Sequence, residues 1–269
     1  MESLGGRLEA IVSGSAALPE KLGRFYSAVG IIMIEGYGLT ETSAVITVTN
    51  YREETKYGTV GTRLSHTQIK ILEDGEIACK SPSVMLGYYK KNSKIKKVIT
   101  KDGYFLTGDL GKLDKDGHLK ITGRKKEIFK TSGGKYITPQ RIENIFKASF
   151  FVENIIVIGE YEKMPAALIQ PNFNFLDKWC KRKKIYAGDT SGEIVVHPLV
   201  YKRYAYEVRK LNKKLSKWEQ IKAFELTPEV WSVEGGELTP TLKVKRKNTI
   251  SKYKYLYRRI YGQDNALSL

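Results

Sequence analysis

The sequence predicts a mixed α/β and α+β fold: the edge of a parallel α/β layer, a small barrel-like β subdomain and a compact α+β domain. Three observations support this prediction. A strand–helix–strand pattern lies in residues 1–50, short strands with Asp-Gly turns fill residues 58–122, and amphipathic helices alternate with strands over residues 128–269. At 269 residues, the chain is long enough for two domains of ordinary size.

The first part begins with a short apolar run at residues 8–13, which predicts a buried strand. Pro19 then opens a predicted helix over residues 20–29. A second apolar run at residues 31–34 predicts another buried strand, and a β-branched run follows at residues 44–49. Because a helix connects the first two strands, we expect them to be parallel.

The β subdomain is predicted from its turns. Asp74-Gly75 separates two strand-like runs, 68–72 and 76–79, and this spacing is typical of a hairpin. Another Asp-Gly pair precedes a strand-like run at residues 118–121. Several short strands with regular turns favour a partly closed barrel.

The third part starts where the charge balance changes, so we predict a domain boundary at residues 123–127. Residues 1–122 carry 17 Lys/Arg and 14 Asp/Glu, a net of +3, whereas residues 123–269 carry 29 and 15, a net of +14. Beyond the boundary the predicted elements alternate: helix 139–148, strand 152–158, strand 166–170, and helices 173–184, 199–215 and 248–261.

Composition limits the function. No window approaches 18 consecutive apolar residues and the start lacks a secretory signal, so we expect a cytoplasmic protein, with peripheral membrane contact left open. Two cysteines, Cys79 and Cys180, argue against a disulfide framework. The three histidines are scattered and support neither a metal site nor a catalytic triad. The positive charge suits an anionic partner, although charge alone favours an ordinary lysine-rich surface.

We expect a loop at Gly36-Tyr37-Gly38-Leu39-Thr40-Glu41-Thr42, and its composition is that of a nucleotide site. Gly36 and Gly38 allow a tight turn and close approach of the backbone to a ligand. Tyr37 offers a flat face for a base, and Glu41 a hard oxygen ligand for magnesium. The alternative interpretation is an ordinary turn capped by threonine.

Three further segments carry candidate residues. Asp109 ends a strand-like run, where an exposed carboxylate could accept two ribose hydroxyls, or could cap a turn. Residues 123–137 join a cationic stretch to a Thr-Ser-Gly-Gly loop, or form a solvated linker. Residues 238–247 form a Pro-containing loop that could project a lysine, or begin a basic helix.

In this order, the segments resemble the adenylate-forming enzyme superfamily, which includes acyl-CoA synthetases, luciferases and peptide-synthetase adenylation domains. Gly36–Thr42 matches its GYGLTET motif, and Leu106–Asp109 resembles its YxTGD segment, with Leu106 in place of the more usual Lys or Arg. Ser13–Pro19 resembles its adenine-side loop. Residues 123–127 and 133–134 match its hinge and the following loop. Residues 238–247 resemble its terminal lysine motif in the long-chain form.

The resemblance implies a role for each matching residue. Residues of the nucleotide site would be Gly14, Ser15, Ala16, Gly36, Tyr37, Gly38, Asp109 and Arg124. Within that site, Tyr37 would stack on adenine, and Asp109 would hold the ribose hydroxyls with Arg124 beside it. Thr40 would touch the α-phosphate and Glu41 would bind Mg²⁺.

The remaining roles belong to the second half-reaction and to the domain motion. Gly133 and Gly134 would lie near the pantetheine arm of coenzyme A, and Lys126 would be the hinge. Lys243 would be the catalytic lysine of adenylate formation, with Lys245 as the rival.

The implied protein is an ATP-dependent long-chain fatty-acid–CoA ligase that uses a fatty acid, ATP (leaving AMP), Mg²⁺ and coenzyme A. Residues 1–122 would be the C-terminal part of its large adenylation domain, 123–127 the hinge, and 128–269 its small mobile domain. The family's phosphate loop is missing, so we expect a truncated chain that is inactive alone. We also expect self-association through apolar edges exposed in residues 1–50.

Two alternatives stay open. One is an adenylating ligase for another carboxylic acid, because most of the acid pocket would lie upstream. The other is a non-catalytic basic module that binds nucleic acid or an acidic membrane through residues 178–217 and 243–259. The second leaves Gly36–Thr42 and Asp109 without a purpose, so no specific nucleic-acid partner is expected.

Overall fold

A computed structural model describes residues 4–52, 55–91 and 95–262. The chain divides into two compact units, Met1–Glu127 and Ile128–Leu269. In the described residues, no helix is both long enough and apolar enough to cross a bilayer.

The first unit contains a four-stranded sheet in the order β1-β2-β3-β4. Its strands are β1 (Ala10–Ser13), β2 (Ile32–Leu39), β3 (Ala44–Val48) and β4 (Thr62–Arg63). Helix α1 (Glu20–Ala28) connects β1 to β2, and these two strands are parallel, as the strand–helix–strand pattern predicts. The other two pairings are antiparallel.

Helix α1 begins directly after Pro19, whose fixed φ suits a helix start, and Glu20 stands in its first turn. Apolar side chains of this region remain exposed, among them Val12 on β1 and Phe25 on α1. Self-association through them stays a prediction.

The second sheet of this unit is an antiparallel meander of four strands. Its strands are β5 (Gln68–Ile71), β6 (Glu76–Lys80), β7 (Phe105–Leu113) and β8 (Leu119–Arg124). The predicted Asp-Gly hairpin is confirmed, with Gly75 at a φ of 84°. Irregularities at Glu76/Ala78 and Leu110/Gly111 curl the sheet, as β-bulges do.

The second unit is built on a three-stranded sheet of β11 (Val152–Ile158), β12 (Ala166–Pro171) and β13 (Ala223–Leu226). A short ribbon, β9 (Phe129–Lys130) with β10 (Tyr136–Ile137), precedes it. Its helices are α2 (Pro139–Lys147), α3 (Phe173–Lys183), α4 (Ser191–Val196), α5 (Pro198–Asn212), α6 (Arg246–Lys252) and α7 (Lys254–Tyr261).

Both faces of the β11–β13 sheet are covered. Along β11, Ile155 and Val157 enter one apolar cluster, whereas Ile156 and Ile158 enter another. This alternation follows the two-residue period of a strand. Burial on both faces explains why residues 155–158 form a continuous apolar run.

The prediction of one helix over residues 248–261 is wrong in one respect. Two helices, α6 and α7, meet at Tyr253, whose φ and ψ of −100° and 31° leave the helical region. Tyr253 is buried, and its hydroxyl donates to Glu229 at 3.0 Å and to Glu237 at 3.3 Å. Tertiary hydrogen bonding therefore breaks a pattern that reads as continuous in sequence.

Candidate functional site

Asp109 lies in the middle of β7, so its predicted position at an exposed strand end is wrong. The residue is 6% exposed, because β7 runs on to Leu113 between two neighbouring strands. Its backbone pairs with Arg124 on β8. A buried carboxylate requires hydrogen-bond donors or a cation nearby.

Asp109 finds both in what we call the carboxylate cluster, which consists of Tyr37, Asp109 and Arg124. The Tyr37 hydroxyl donates to Asp109 Oδ2 at 2.8 Å, and Arg124 Nε donates to Asp109 Oδ1 at 2.8 Å. Burial and the Asp109 charge raise the pKa of Tyr37, and the hydrogen bond to Asp109 raises the pKa of Arg124. Tyr37 is therefore a neutral donor and Arg124 a cation at physiological pH.

The glycine-tyrosine motif is partly strand and partly turn. Gly36 to Leu39 belong to β2, so the prediction of a loop over all seven residues is wrong. A 3-10 turn begins only at Thr40 and ends at Thr42. Pairing with β3 draws the glycines into the sheet.

The two glycines differ in the space around them. A Cβ on Gly38 would lie 1.4 Å from the carbonyl oxygen of Ala44, whereas the nearest atom to a Cβ on Gly36 is 3.7 Å away. Ser43 and Ala44 hold this approach with left-handed φ values of 51° and 81°. Close backbone approach therefore requires glycine at position 38 and not at position 36.

Thr42 fixes the turn after the motif. It is fully buried, and its hydroxyl accepts from Leu39 N at 2.9 Å and donates to Leu39 O at 3.0 Å. Thr40, at the start of the turn, is exposed.

Glu41 is half-buried beside Thr42. Its Oε1 accepts from the Tyr88 hydroxyl at 2.9 Å, and its backbone oxygen accepts from Met85 N at 2.8 Å. Among the described residues, no group of three or more His, Cys, Asp or Glu could hold a metal ion. A single carboxylate suits Mg²⁺, which commonly uses one or two carboxylates together with water and substrate phosphates.

The loop of Gly14, Ser15 and Ala16 is exposed and follows β1. Glu35, which the sequence reasoning missed, supports the base of this loop. Its Oε2 accepts from Leu18 N at 3.2 Å, and burial raises the pKa of this carboxyl although the Leu18 hydrogen bond opposes the shift. One signal could have found it: an acidic residue that directly follows the apolar run 31–34.

Lys126 is exposed in a 3-10 turn, Lys125–Glu127, at the end of the first unit. Its neighbour Lys125 forms ion pairs with Asp74 and with Glu76, each at 2.6 Å. Glu76 is buried and also accepts from Gly108 N at 2.9 Å. The ion pair between Lys125 and Glu76 therefore holds the predicted hinge region against the β5–β8 sheet. The sequence analysis did not predict this role for Glu76.

Gly133 and Gly134 are exposed in the turn between β9 and β10. Gly134 has a φ of 77°, and its N–H donates to the backbone oxygen of Thr131 at 2.9 Å. Thr131 is buried, and its hydroxyl accepts from Lys135 N at 3.3 Å. The buried threonine thus holds an exposed glycine pair at the tip of the turn.

Lys243 is exposed in a loop that its neighbours fix. Thr239 Oγ1 accepts from Lys243 N at 3.0 Å, and Thr239 N donates to Lys243 O at 2.8 Å. The structure records no ion pair for the Lys243 ammonium within the residues it describes. Lys245 is half-buried, donates its N–H to Glu237 O at 2.7 Å and precedes α6.

The sequence matches the family of AMP-binding enzymes over residues 1–89. It is 36% identical over 262 residues to the long-chain-fatty-acid–CoA ligase FadD15 of Mycobacterium tuberculosis, across 97% of this chain. The chain belongs to the adenylate-forming enzyme family. It is also 34% identical over 275 residues to the human long-chain-fatty-acid–CoA ligase 6, across 97% of this chain. The chain spans 43% and 39% of the length of these two relatives.

Solved structures of the family share the fold. The ATP-bound RpMatB-BxBclM chimera B1 aligns with a TM-score of 0.71 and 25% identity, over 91% of this chain and 46% of the other. The A domain of carboxylic acid reductase from Segniliparus rugosus, in complex with AMP and a carboxylic acid, aligns with a TM-score of 0.75. That match has 22% identity and covers 97% of this chain and 40% of the other. The predicted family and fold class are confirmed.

Proposed function

We propose that the chain forms the adenylate-handling part of an ATP-dependent long-chain fatty-acid–CoA ligase. Such an enzyme couples a fatty acid to AMP and then transfers the acyl group to coenzyme A. The observation that carries the proposal is the carboxylate cluster, in which Tyr37 and Arg124 orient the buried Asp109. The 36% identity to a long-chain ligase across nearly the whole chain supports the substrate class.

The nucleotide would bind at the cluster. Each Asp109 oxygen accepts one hydrogen bond and retains a lone pair, so the carboxylate could also accept the two ribose hydroxyls. The Tyr37 ring would stack on adenine, with the loop of Gly14, Ser15 and Ala16 at its edge. The left-handed turn against Gly38 would place the exposed Thr40 hydroxyl beside the α-phosphate.

Glu41 would hold Mg²⁺ through the oxygen that Tyr88 leaves unbonded. The ion would supply neutralisation of phosphate charge when bound. Tyr88 would orient the Glu41 carboxylate by its hydrogen bond at 2.9 Å. Orientation of a metal ligand by a neighbouring donor commonly strengthens a site.

In the first half-reaction, the fatty-acid carboxylate attacks the α-phosphorus of ATP, and pyrophosphate leaves. Lys243 would neutralise the charge that redistributes between the carboxylate and the phosphate oxygens. Its exposed ammonium, on a loop fixed by Thr239, supports this role. Little covalent chemistry is required of the protein, because positioning and charge stabilisation dominate phosphoryl chemistry of this kind.

In the second half-reaction, the thiolate of coenzyme A attacks the acyl carbonyl and AMP leaves. Gly133 and Gly134 would line the pantetheine arm, since a turn without side chains allows close approach. Lys126 would be the hinge between residues 1–122 and residues 128–269, which we assign to the adenylation domain and the mobile domain. Rotation about a few residues is a common means of exchanging catalytic groups.

A chimera tests the function. In this chimera, the region of FadD15 that lies outside the match is fused in front of this chain. The measured activity is formation of palmitoyl-CoA from palmitate, ATP and coenzyme A. We expect turnover that falls by about 100-fold when Asp109→Asn is introduced. Benzoate and octanoate serve as competing acids. Preference for either over palmitate would favour the alternative ligase, and full activity of the Asp109→Asn chimera would remove the basis of the proposal.

A further inference from the structure

Helix α5 carries a stripe that the adenylation chemistry does not use. Successive helical residues turn by about 100°, so six residues of α5 and its C-cap fall within an arc of about 100°. These six, the α5 stripe, are Leu199, Lys202, Tyr206, Arg209, Lys210 and Lys213. All six are exposed.

The stripe contains four cations and no acid. The single acidic residue of α5, Glu207, is buried and bonded to Ser149 and Arg203. None of the four stripe cations forms an ion pair in the part of the chain that the structure describes. Their charge is therefore uncompensated and available to an anionic partner.

Helix α3 shows how an ordinary solvated face differs. Its exposed positions include Asp177, Lys178 and Lys181, and Asp177 pairs with Lys181 at 2.8 Å. Helix α3 nevertheless carries four cations against this one acid, so charge alone does not distinguish the two helices. The difference is apolar: none of the large apolar side chains of α3 is exposed, whereas the α5 stripe exposes Leu199 and Tyr206 between its cations.

The stripe also exposes apolar surface between its cations. Leu199 is 48% exposed and Tyr206 51% exposed. The guanidinium of Arg203 lies over the Tyr206 ring, 5.1 Å from its centroid, which holds this ring at the surface. Leucine and tyrosine contribute to binding at the headgroup layer of a bilayer, where apolar side chains enter and lysines meet anionic lipids.

We infer that the α5 stripe is a docking surface for an anionic lipid bilayer. The helix would lie parallel to the bilayer along about 21 Å, with Leu199 and Tyr206 at the acyl boundary and the four cations at the phosphates. A nucleic acid would use the cations but would give Leu199 no apolar environment. The inference is independent of the proposed ligase activity.

Vesicle co-sedimentation of the full chain tests the inference. The probe is a phosphatidylcholine vesicle with about 30% phosphatidylserine, compared with phosphatidylcholine alone. We expect binding only to the anionic vesicle, and loss of that binding as salt rises from about 0.1 M to about 0.5 M.

Two sets of variants localise the contact. The quadruple variant Lys202→Gln, Arg209→Gln, Lys210→Gln and Lys213→Gln should lower the partition coefficient by about 100- to 1000-fold, at about fivefold per cation. The control removes the same charge from α3 by Lys178→Gln, Lys181→Gln, Arg182→Gln and Lys183→Gln. Equal losses in both variants would show a net-charge effect and overturn the inference.

A single substitution tests the apolar contact without changing charge. Tyr206→Ser should lower vesicle binding by about fivefold, whereas Tyr51→Ser, at an equally exposed tyrosine of the first unit, should leave it unchanged. No effect of Tyr206→Ser would exclude the proposed geometry. Binding of poly(U) RNA through the stripe cations, without vesicle binding, would assign the surface to nucleic acid instead.

Discussion

The carboxylate cluster and the loop of residues 239–243, which we call the lysine loop, hold their charged groups in opposite ways. Asp109 is buried, and both of its oxygens are already bonded, to Tyr37 and Arg124. Lys243 is exposed, and only its backbone is fixed, by Thr239. In the cluster, hydrogen bonds fix the Asp109 side chain before a ligand arrives. In the lysine loop, they fix only the backbone from which the Lys243 side chain extends. In the proposed function, Lys243 acts in the first half-reaction and moves away for the second, and an exposed side chain on a fixed backbone suits that role.

The largest expected effect is that of replacing Lys243. In the chimera, Lys243→Ala should lower adenylate formation by about 100- to 1000-fold, because one charge-stabilising donor at a transition state has about that effect. Thioester formation from supplied palmitoyl-AMP should be largely unchanged. Pyrophosphate exchange and palmitoyl-CoA release measure the two steps separately.

Lys245→Ala is the matched control, since Lys245 is half-buried two residues away. A larger loss in adenylate formation from Lys245→Ala would transfer the catalytic assignment to it. Equal loss of both half-reactions in Lys243→Ala would contradict the assignment of Lys243 to adenylate formation alone.

The next effect concerns the backbone beneath the cluster. Gly38→Ala should lower the free energy of unfolding of the first unit by about 3 kcal/mol or more, because the new Cβ meets a backbone oxygen that cannot move alone. Gly36→Ala has ordinary space and should change it by less than about 1 kcal/mol. Urea unfolding of the chain measures both, and similar midpoints would refute the packing argument.

A smaller effect is expected in the lysine loop. Thr239→Val removes the acceptor of the Lys243 N–H, and one such hydrogen bond contributes about 1 kcal/mol. Hydrogen exchange at the Lys243 amide should therefore accelerate about fivefold. Thr239→Ser keeps the hydroxyl and should restore the slow rate; failure to do so would mean that the threonine methyl, not the hydrogen bond, holds the loop.

The smallest effect is a pH dependence from Glu35. Burial raises the pKa of this carboxyl, so the folded chain binds its proton more tightly than the unfolded chain does. Its stabilising contribution is complete below the unfolded pKa and is lost as pH rises through the folded pKa. Glu35→Gln should therefore gain melting temperature relative to wild type as pH rises from about 5 to about 8. A difference that shrinks over this range would contradict the sign.

Sequence predicted the local elements and the family, but not how distant residues meet. The parallel β1–α1–β2 arrangement and the Asp-Gly hairpin follow from periodicity and turn chemistry over a few residues. Glu76 contacts Lys125 across 49 positions and Tyr37 contacts Asp109 across 72. Such contacts depend on sheet register, which no local pattern contains.

Contacts between distant residues also explain why the sequence predictions for Asp109, Gly36 to Leu39 and Tyr253 were wrong. Asp109 has the short polar side chain of a turn residue, yet strand pairing buries it. Gly36 to Leu39 read as a loop because glycine is rare in strands, yet β3 pairs with them. Tyr253 reads as helical, yet hydrogen bonds to Glu229 and Glu237 break the helix there. In each case tertiary contacts outweigh local propensity.

Calorimetric titration of the chain with a non-reactive acyl-adenylate, hexadecanoyl sulfamoyl adenosine, tests the central claim most directly. Wild type should bind, and Asp109→Asn should weaken binding by about 10- to 100-fold, because charge-assisted hydrogen bonds to the ribose would be lost. Asp116→Asn, at an exposed aspartate paired with Lys56, should bind as wild type does. Equal affinity of the Asp109→Asn and Asp116→Asn variants would show that the carboxylate cluster does not hold an adenylate.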